Sequence, residues 1–336
     1  GVMFRKTALI LLTVTALIFS SFILAKAQAV IKYAHMSPLD HPQHLGALAF
    51  AKYINDKSKG SMEVQVFPLG QLGGERSLAE QVQTGSLHVA TVSSGVLANF
   101  VPEFAIIELP FIFPGKEVAW KVLEDKEVIE MLAKYCDSRG FVFIGYTENG
   151  FGDITNSKRP IKKPDDLRGL KIRVVVSPIY IDTFKALGAN PTSLPLPEVY
   201  NALQQKMIDG QDNSLYTSVM MKFTEVNKFA TITNHILNEC PVVVNSKFWK
   251  SLTPDQQKVF REAAEVQTMV NRQAITKGST DAIEKARAQQ VDLYTLSVQD
   301  REAFKKAVSP VYDKYKGAFS TAWYDFFLKK IVSYSK

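Results

Sequence analysis

From Pro254 to Ala288 the chain has no proline after the first position and only one glycine, Gly278. Such a run is a helix of roughly 50 Å at 1.5 Å per residue. That exceeds the span of one ordinary domain, so it can brace two, with Gly278 as a natural bending point. The length of 336 residues also points to two domains, at roughly 150 residues each. With 46% hydrophobic and 22% charged residues, wholesale disorder is excluded.

The formal charge of +7 invites a nucleic-acid or membrane reading until the charges are placed. Arg5 and Lys6 precede an uncharged run from Thr7 to Ala25, and Ala25-Lys26-Ala27 follows it. A basic start, an apolar centre and a small-x-small end make a secretory signal peptide over residues 1–27, with cleavage near Ala27 or Ala29. A retained anchor is the alternative, since the run could just span a bilayer. Its Thr and Ser content and the adjoining cleavage site favour removal, which gives a soluble exported protein. Without Arg5, Lys6 and Lys26 the net charge falls from +7 to +4. The remaining basic cluster, Lys158, Arg159, Lys162 and Lys163, has no interleaved aromatics and reads as solvated surface, not a nucleic-acid stripe.

Strands and helices then alternate. Val30–His35 is β-prone, 44–55 carries a helical apolar face, and Met62, Val64 and Val66 alternate with polar residues. A short helix over Glu75–Thr84 stops at Gly85, His88–Val92 is a strand, and Lys116–Ser138 reads as one amphipathic helix before the strand Phe141–Tyr146. The polar, proline-containing stretch Thr155–Arg168 is a plausible crossover out of the first domain. Beyond it come a strand at 171–176, helices at 178–187 and 197–206, and a strand at 242–245. This pattern is α/β with mostly parallel pairing.

No constellation nominates catalysis or a cofactor. His41-Pro42-Gln43-His44 lacks the acid of a zincin motif, so His35, His41 and His44 predict no metal site. They suit hydrogen bonding at a strand's carboxyl end, where α/β sheets place ligands. The Gly70–Gly74 stretch lacks a following Gly-Lys-Ser/Thr and reads as a turn, and no serine sits in a nucleophile elbow. Asp165 and Asp166 cap the turn that follows them. Cys136 and Cys240 are too few for a disulfide scaffold or a four-cysteine metal site, and whether they pair stays open. The most informative stretch is Gly169–Val174. Alternation buries Leu170, Ile172 and Val174 and turns Lys171 and Arg173 to the other face. There the Arg173 fork either grips a carboxylate or makes a structural salt bridge.

Taken in order, Gly169-Leu-Lys-Ile-Arg173-Val, Gly188-Ala-Asn-Pro-Thr, Pro197-Glu-Val-Tyr200-Asn-Ala-Leu-Gln-Gln and Asp209-Gly-Gln-Asp-Asn213 resemble the solute-binding subunits of tripartite ATP-independent periplasmic (TRAP) transporters. Tyr33-Ala-His-Met, the Pro68-Leu-Gly-Gln-Leu-Gly turn, Glu108-Leu-Pro-Phe, Thr233-Asn-His-Ile and Leu252-Thr-Pro-Asp-Gln-Gln extend the similarity over nearly the whole mature chain.

The resemblance implies a two-domain α/β periplasmic-binding-protein (Venus-flytrap) architecture braced by the long helix. Residues 28–150 plus 239–277 would form one domain, and 151–238 plus 278–336 the other. It implies a monomer that closes on one small organic acid and delivers it to an ion-coupled membrane permease, with no cofactor. Arg173 would clamp the ligand carboxylate and Asn213 would hydrogen-bond it. Glu75, Ser93, Val176 and Leu196 would line the pocket, and the His35–Ser37 loop would close it.

One position departs from the family pattern: Gly152 stands where members often carry a second arginine, and Asp153 follows it. The expected ligand is therefore a monocarboxylate, a hydroxy, keto or (hetero)aromatic acid, and not a C4-dicarboxylate. Rival readings are a secreted enzyme acting on organic acids and a ligand-sensing partner of a signalling receptor.

Overall fold

The computed structural model describes residues 29–336, so the expected leader, residues 1–27, lies outside them. The first of two sheets has the order β2-β1-β3-β10-β4. Its strands are β1 (Ala29–Ala34), β2 (Met62–Phe67), β3 (Val89–Thr91), β4 (Phe141–Phe151) and β10 (Leu237–Asn245). The second has the order β11-β9-β5-β8-β6-β7. It contains β5 (Asp153–Asn156), β6 (Lys171–Val174), β7 (Asn190–Ser193), β8 (Gly210–Asn213), β9 (Phe229–Ile232) and β11 (Asp292–Thr295). The helices of eight residues or more are α1 (Pro42–Lys57), α2 (Glu75–Thr84), α3 (Lys116–Leu123), α4 (Lys126–Asp137), α5 (Pro178–Ala186), α6 (Pro254–Ala288), α7 (Val298–Ala307), α8 (Ser309–Lys316) and α9 (Thr321–Tyr334).

Pairing is more mixed than expected. β1 runs parallel to β2 and β3, β6 to β7 and β8, and β11 to β9. However, β10 is antiparallel to β3 and β4, and β5 is antiparallel to β8 and β9. The cause is the joint between the sheets. β4 passes through Gly152 directly into β5, and β9 returns through residues 233–236 into β10, so two strands cross side by side in opposite directions. They are tied where they cross: Gly152 N donates to Ile236 O (2.7 Å) and His235 N donates to Gly152 O (3.2 Å). The chain therefore enters the second sheet at Asp153, ahead of the polar stretch expected to carry the crossover. That stretch is the end of β5, a loop and a 3-10 turn at Pro164–Leu167, with Asp166 accepting from the Lys162 and Lys163 amides.

Local chemistry explains the other differences. The helix expected over 116–138 is two helices, because the Asp125 carboxylate accepts from the amides of Glu127 and Val128 and caps a new start. The 197–206 helix is a 3-10 turn, Leu196–Glu198, followed by a helix only from Val199 to Gln204. Cys136 and Cys240 are separate buried thiols.

Helix α6 begins with a reciprocal Thr253–Gln256 capping box. Phe260, Ala263 and Ala264 join the core of the first sheet, with Ile31, Tyr33, Phe50 and Val242. Ala282 and Ala286 pack with Leu215, Ala230 and Val291 at the second. Gly278 is not a break: the helix continues through it, and a Cβ there would run into the Tyr216 ring. The C-terminal helix α9 lies against α3 and α4. Trp323 Nε1 donates to Glu103 O (3.2 Å), and Lys330 and Tyr334 both donate to Asp125 Oδ2 (2.7 and 2.8 Å).

Candidate ligand-binding site

Between the two sheets lies a cleft whose empty space, counting its opening to solvent, is about 780 Å³. The first sheet's side contributes Met36 and Ser37 after β1, Glu75 and Arg76 at the start of α2, and Ser93 and Val96 after β3. The second contributes Arg173 on β6, Val175 and Val176 after it, Leu194–Leu196 after β7, and Asp212 and Asn213 on β8. The crossing strands supply Asn149 and Asn238.

Arg173 occupies the centre because β6 is four residues long and flanked by β7 and β8, so its third residue reaches the carboxyl end of the sheet. The residue is only 4% exposed. Its Nε donates to Leu194 O at 2.8 Å, which fixes the guanidinium plane. Among the described residues neither Nη has a hydrogen-bond partner. Burial lowers its pKa from the ordinary arginine value, while the charges of Asp212 and Glu75 oppose that shift. A guanidinium remains charged in any protein environment. What burial does is raise the value of a carboxylate placed against the two free nitrogens.

The neighbours of this cation are acids. Glu75 accepts from Ser93 N (3.2 Å) and Ser93 Oγ (2.7 Å). Burial raises its pKa, and the Ser93 bonds and Arg173 partly offset the shift. Asp212 Oδ1 lies 3.1 Å from His235 Nε2, whose ring is held by Thr233 through Nδ1 at 2.7 Å. Deeper still, Glu108 accepts from Gly95 N (2.6 Å), and burial pushes its pKa well above the usual carboxyl range. Asn213 donates to Gln211 Oε1 (2.6 Å), which orients its amide. Asn149 donates to Asn238 Oδ1 (2.9 Å), and Asn238 to the Tyr180 hydroxyl (3.3 Å). No aromatic ring is among the lining residues.

Of the residues singled out in the sequence, Arg173, Asn213, Ser93, Glu75, Ser37, Val176 and Leu196 line this cleft together. His35 and Gly152 stand behind it. His35 is fully buried, with Nε2 at 3.0 Å from His44 Nδ1, and its Nδ1 accepts from Ser37 N (3.1 Å), so it props the loop that carries Ser37. Ser37 in turn donates to Gln43, and Gln43 donates to Thr147 (3.3 Å). At Gly152 an added Cβ would lie 2.6 Å from Asp212 Oδ1 and 3.0 Å from His235 Cε1. Asp153 is turned away from the cleft, accepting from the amides of Leu215, Thr233 and Asn234. Sequence reasoning missed Asp212, Gln43, Asn149 and Asn238. Only Asp212 had a signal, its place beside Asn213 in the Asp209–Asn213 stretch.

Two α/β lobes joined by paired crossing strands, with an arginine facing the cleft between them, define a two-domain ligand-binding receptor. The chain belongs to the DctP family of bacterial extracellular solute-binding proteins, family 7, whose match covers residues 33–318. It is thus one of the solute-binding subunits of TRAP transporters, a family typically periplasmic. A solute-binding protein of Verminephrobacter eiseniae is 32% identical over 89% of this chain and 88% of its own. Among solved structures, a sugar acid binding protein from Advenella mimigardefordensis in complex with galactonate superposes with TM-score 0.87. It shares 30% identity and covers 91% of this chain and 99% of that one. A TRAP periplasmic solute-binding protein from Polaromonas bound to D-erythronate gives TM-score 0.85 at 32% identity, covering 90% and 98%.

Proposed function

We propose that this protein captures one small monocarboxylate carrying hydroxyl groups, by closing its lobes around it, and hands it to an ion-coupled TRAP permease. The observation that carries this reading is the charge arrangement of the cleft. The buried Arg173 guanidinium offers two free nitrogens with the acids Glu75 and Asp212 near it, while the other arginine of the lining, Arg76, is exposed and paired with Glu80 (3.1 Å). The carboxylate of a ligand takes the two parallel donors of Arg173 with Asn213 beside it. Ser37, Ser93, Asn149 and Asn238 are left as hydrogen-bonding partners for the rest of the molecule. Glu75 and Asp212 need donors, which hydroxyls supply and a second carboxylate does not. Asp212 and His235 occupy the space at Gly152, so no arginine stands at that position to hold one. Of the expected ligand classes, a hydroxy acid fits this lining better than an aromatic acid, because no ring is present to stack on it. The galactonate and D-erythronate held by similar proteins have this chemistry.

The limits 28–150 plus 239–277 and 151–238 plus 278–336 serve as the two lobes in this reading, with α9 reaching back across α3 and α4. Contacts to both lobes exist only when they are closed, so the ligand shifts an open–closed equilibrium. Export follows from cleavage of the leader near Ala27 or Ala29, and the receptor acts as a monomer without a cofactor. Thermal-shift screening of organic acids, followed by calorimetry, tests the ligand class. D-erythronate or D-galactonate should bind more tightly than succinate or malate, and mass spectrometry should return the ligand unchanged. A dicarboxylate that outbinds every hydroxy monocarboxylate overturns the ligand class, and a converted ligand points to the enzyme reading.

A further inference from the structure

On the face of the crossing strands opposite the cleft, two carboxyls meet. Glu148 on β4 and Glu239 on β10 are register partners in the antiparallel pair, which puts their β-carbons roughly 5 Å apart on one face. Each directly adjoins a cleft residue, Asn149 and Asn238, whose side chains point the other way. Both acids are completely buried. Glu148 Oε2 accepts from Trp120 Nε1 (2.5 Å), but Glu148 Oε1 and both oxygens of Glu239 have no partner among the described residues.

The charged and titratable groups that face the pair can be counted. Helix α6 offers Arg272, whose Nη2 is 4.0 Å from Glu239 Oε1 and whose Nη1 is already paired with Glu124, just beyond α3. Lys116, at the start of α3, lies over the Trp120 ring at 4.8 Å. Arg272 covers the same ring, also at 4.8 Å. From β4 comes the buried, unpartnered hydroxyl of Tyr146. Asn271 is spent on the backbone, accepting from Glu148 N (2.8 Å) and donating to Glu148 O (3.1 Å). Three carboxyls thus compete for one nearby guanidinium, and two of them are shut away from water. Two adjacent buried carboxylates cannot both ionise at low cost.

We propose that Glu148 and Glu239 form a one-proton site at the joint between the lobes, whose proton holds the crossing strands together and whose loss loosens them. The directions of titration agree. Burial raises the pKa of Glu148, and burial together with the Glu148 charge raises that of Glu239 well above the usual range. A protonated carboxyl can donate to its neighbour and leaves one charge for Arg272. With both ionised, the repulsion is relieved only by admitting water between β4 and β10, at the point about which the lobes move.

Hydrogen exchange of the whole mature protein, without ligand, tests the site. The readout is the protection of peptides covering residues 146–150 and 237–241 between pH 6 and pH 9, corrected for the intrinsic rate. In the wild type, protection there should fall by up to about tenfold per pH unit until the pair's own titration is reached and then level off, while β1 and β2 hold theirs. In Glu239→Gln, which is permanently neutral, the fall should vanish, and Glu148→Gln should behave alike. An identical pH response in wild type and both variants overturns the proposal. So does faster exchange in the variants at every pH, or failure of both to fold. Either result would mean that two ionised partners of Arg272 are required.

Discussion

Asp212 occupies the space that Gly152 leaves empty: a methyl group at 152 would stand 2.6 Å from its Oδ1. The glycine is therefore a requirement of Asp212 and His235, beyond being the absence of a second arginine. Gly152→Ala should cost about 1–3 kcal/mol of stability, the usual range for overpacking a filled site. Urea unfolding measures this, and a neutral result would show that Asp212 moves aside freely. Gly152→Arg should not create a dicarboxylate receptor, because the new side chain has no path past Asp212 and His235.

Arg173 carries the ligand's charge in the proposed mode. A charge-assisted hydrogen bond contributes roughly 1.5–3 kcal/mol, so Arg173→Ala should weaken D-erythronate or D-galactonate binding by about tenfold to over a hundredfold in calorimetry. Arg173→Lys should not restore it, since an ammonium cannot present two parallel donors in one plane. Unchanged affinity in Arg173→Ala would remove this residue from the site.

Gly278 offers a test in which two effects have opposite signs. In an exposed helix interior, Gly→Ala stabilises by about 1 kcal/mol. Here the added Cβ meets the Tyr216 ring, so Gly278→Ala should destabilise the protein in chemical denaturation. In a Tyr216→Ala background the same change should become stabilising by about 1 kcal/mol. A stabilising Gly278→Ala in the wild-type background would mean that the Tyr216 ring moves aside at little cost.

The histidines behind the cleft make the protein sensitive to acid. Burial, with the charges of His44 and His41, lowers His35 to about 3, and burial lowers His41 to about 4. Because the folded values lie below the unfolded value of about 6.5, the unfolded chain binds the extra protons. The contribution to stability is complete above pH 6.5 and is lost as pH falls from there toward the folded values. Protonating His35 at Nδ1 would also remove the acceptor for Ser37 N. Unfolding midpoints between pH 7 and pH 5 should fall less steeply in His35→Gln than in the wild type. Equal slopes would show that His35 does not titrate with folding.

Much of the local structure was legible from single residues. The alternation of Met62, Val64 and Val66 predicted β2, and Gly85 marked the end of α2, where its left-handed φ of 93° forms the C-cap. The run from Pro254 to Ala288 predicted α6, because only a break in hydrogen bonding ends a helix and the segment contains none. Those signals act within a turn or a strand. Asp125 was a local signal too, but its capping role was hidden by the apolar periodicity continuing on both sides of it.

What the amino-acid order determined by itself was part of the elements, β1, β2, α2 and β6 among them, the two-domain size, the long brace and the arginine poised on β6, since these rest on spacing and on neighbours in the chain. The tertiary structure decided the rest. It set the direction of β10 and β5, because only the assembled joint brings the two crossing strands together. It brought Glu75 and Asp212 into one cleft with Arg173 and filled the space at Gly152. It also turned Glu148 and Glu239 away from the cleft into one buried pair. Each of these depends on residues distant in the chain meeting at a few ångströms, where burial and Coulomb forces act and sequence spacing carries no record.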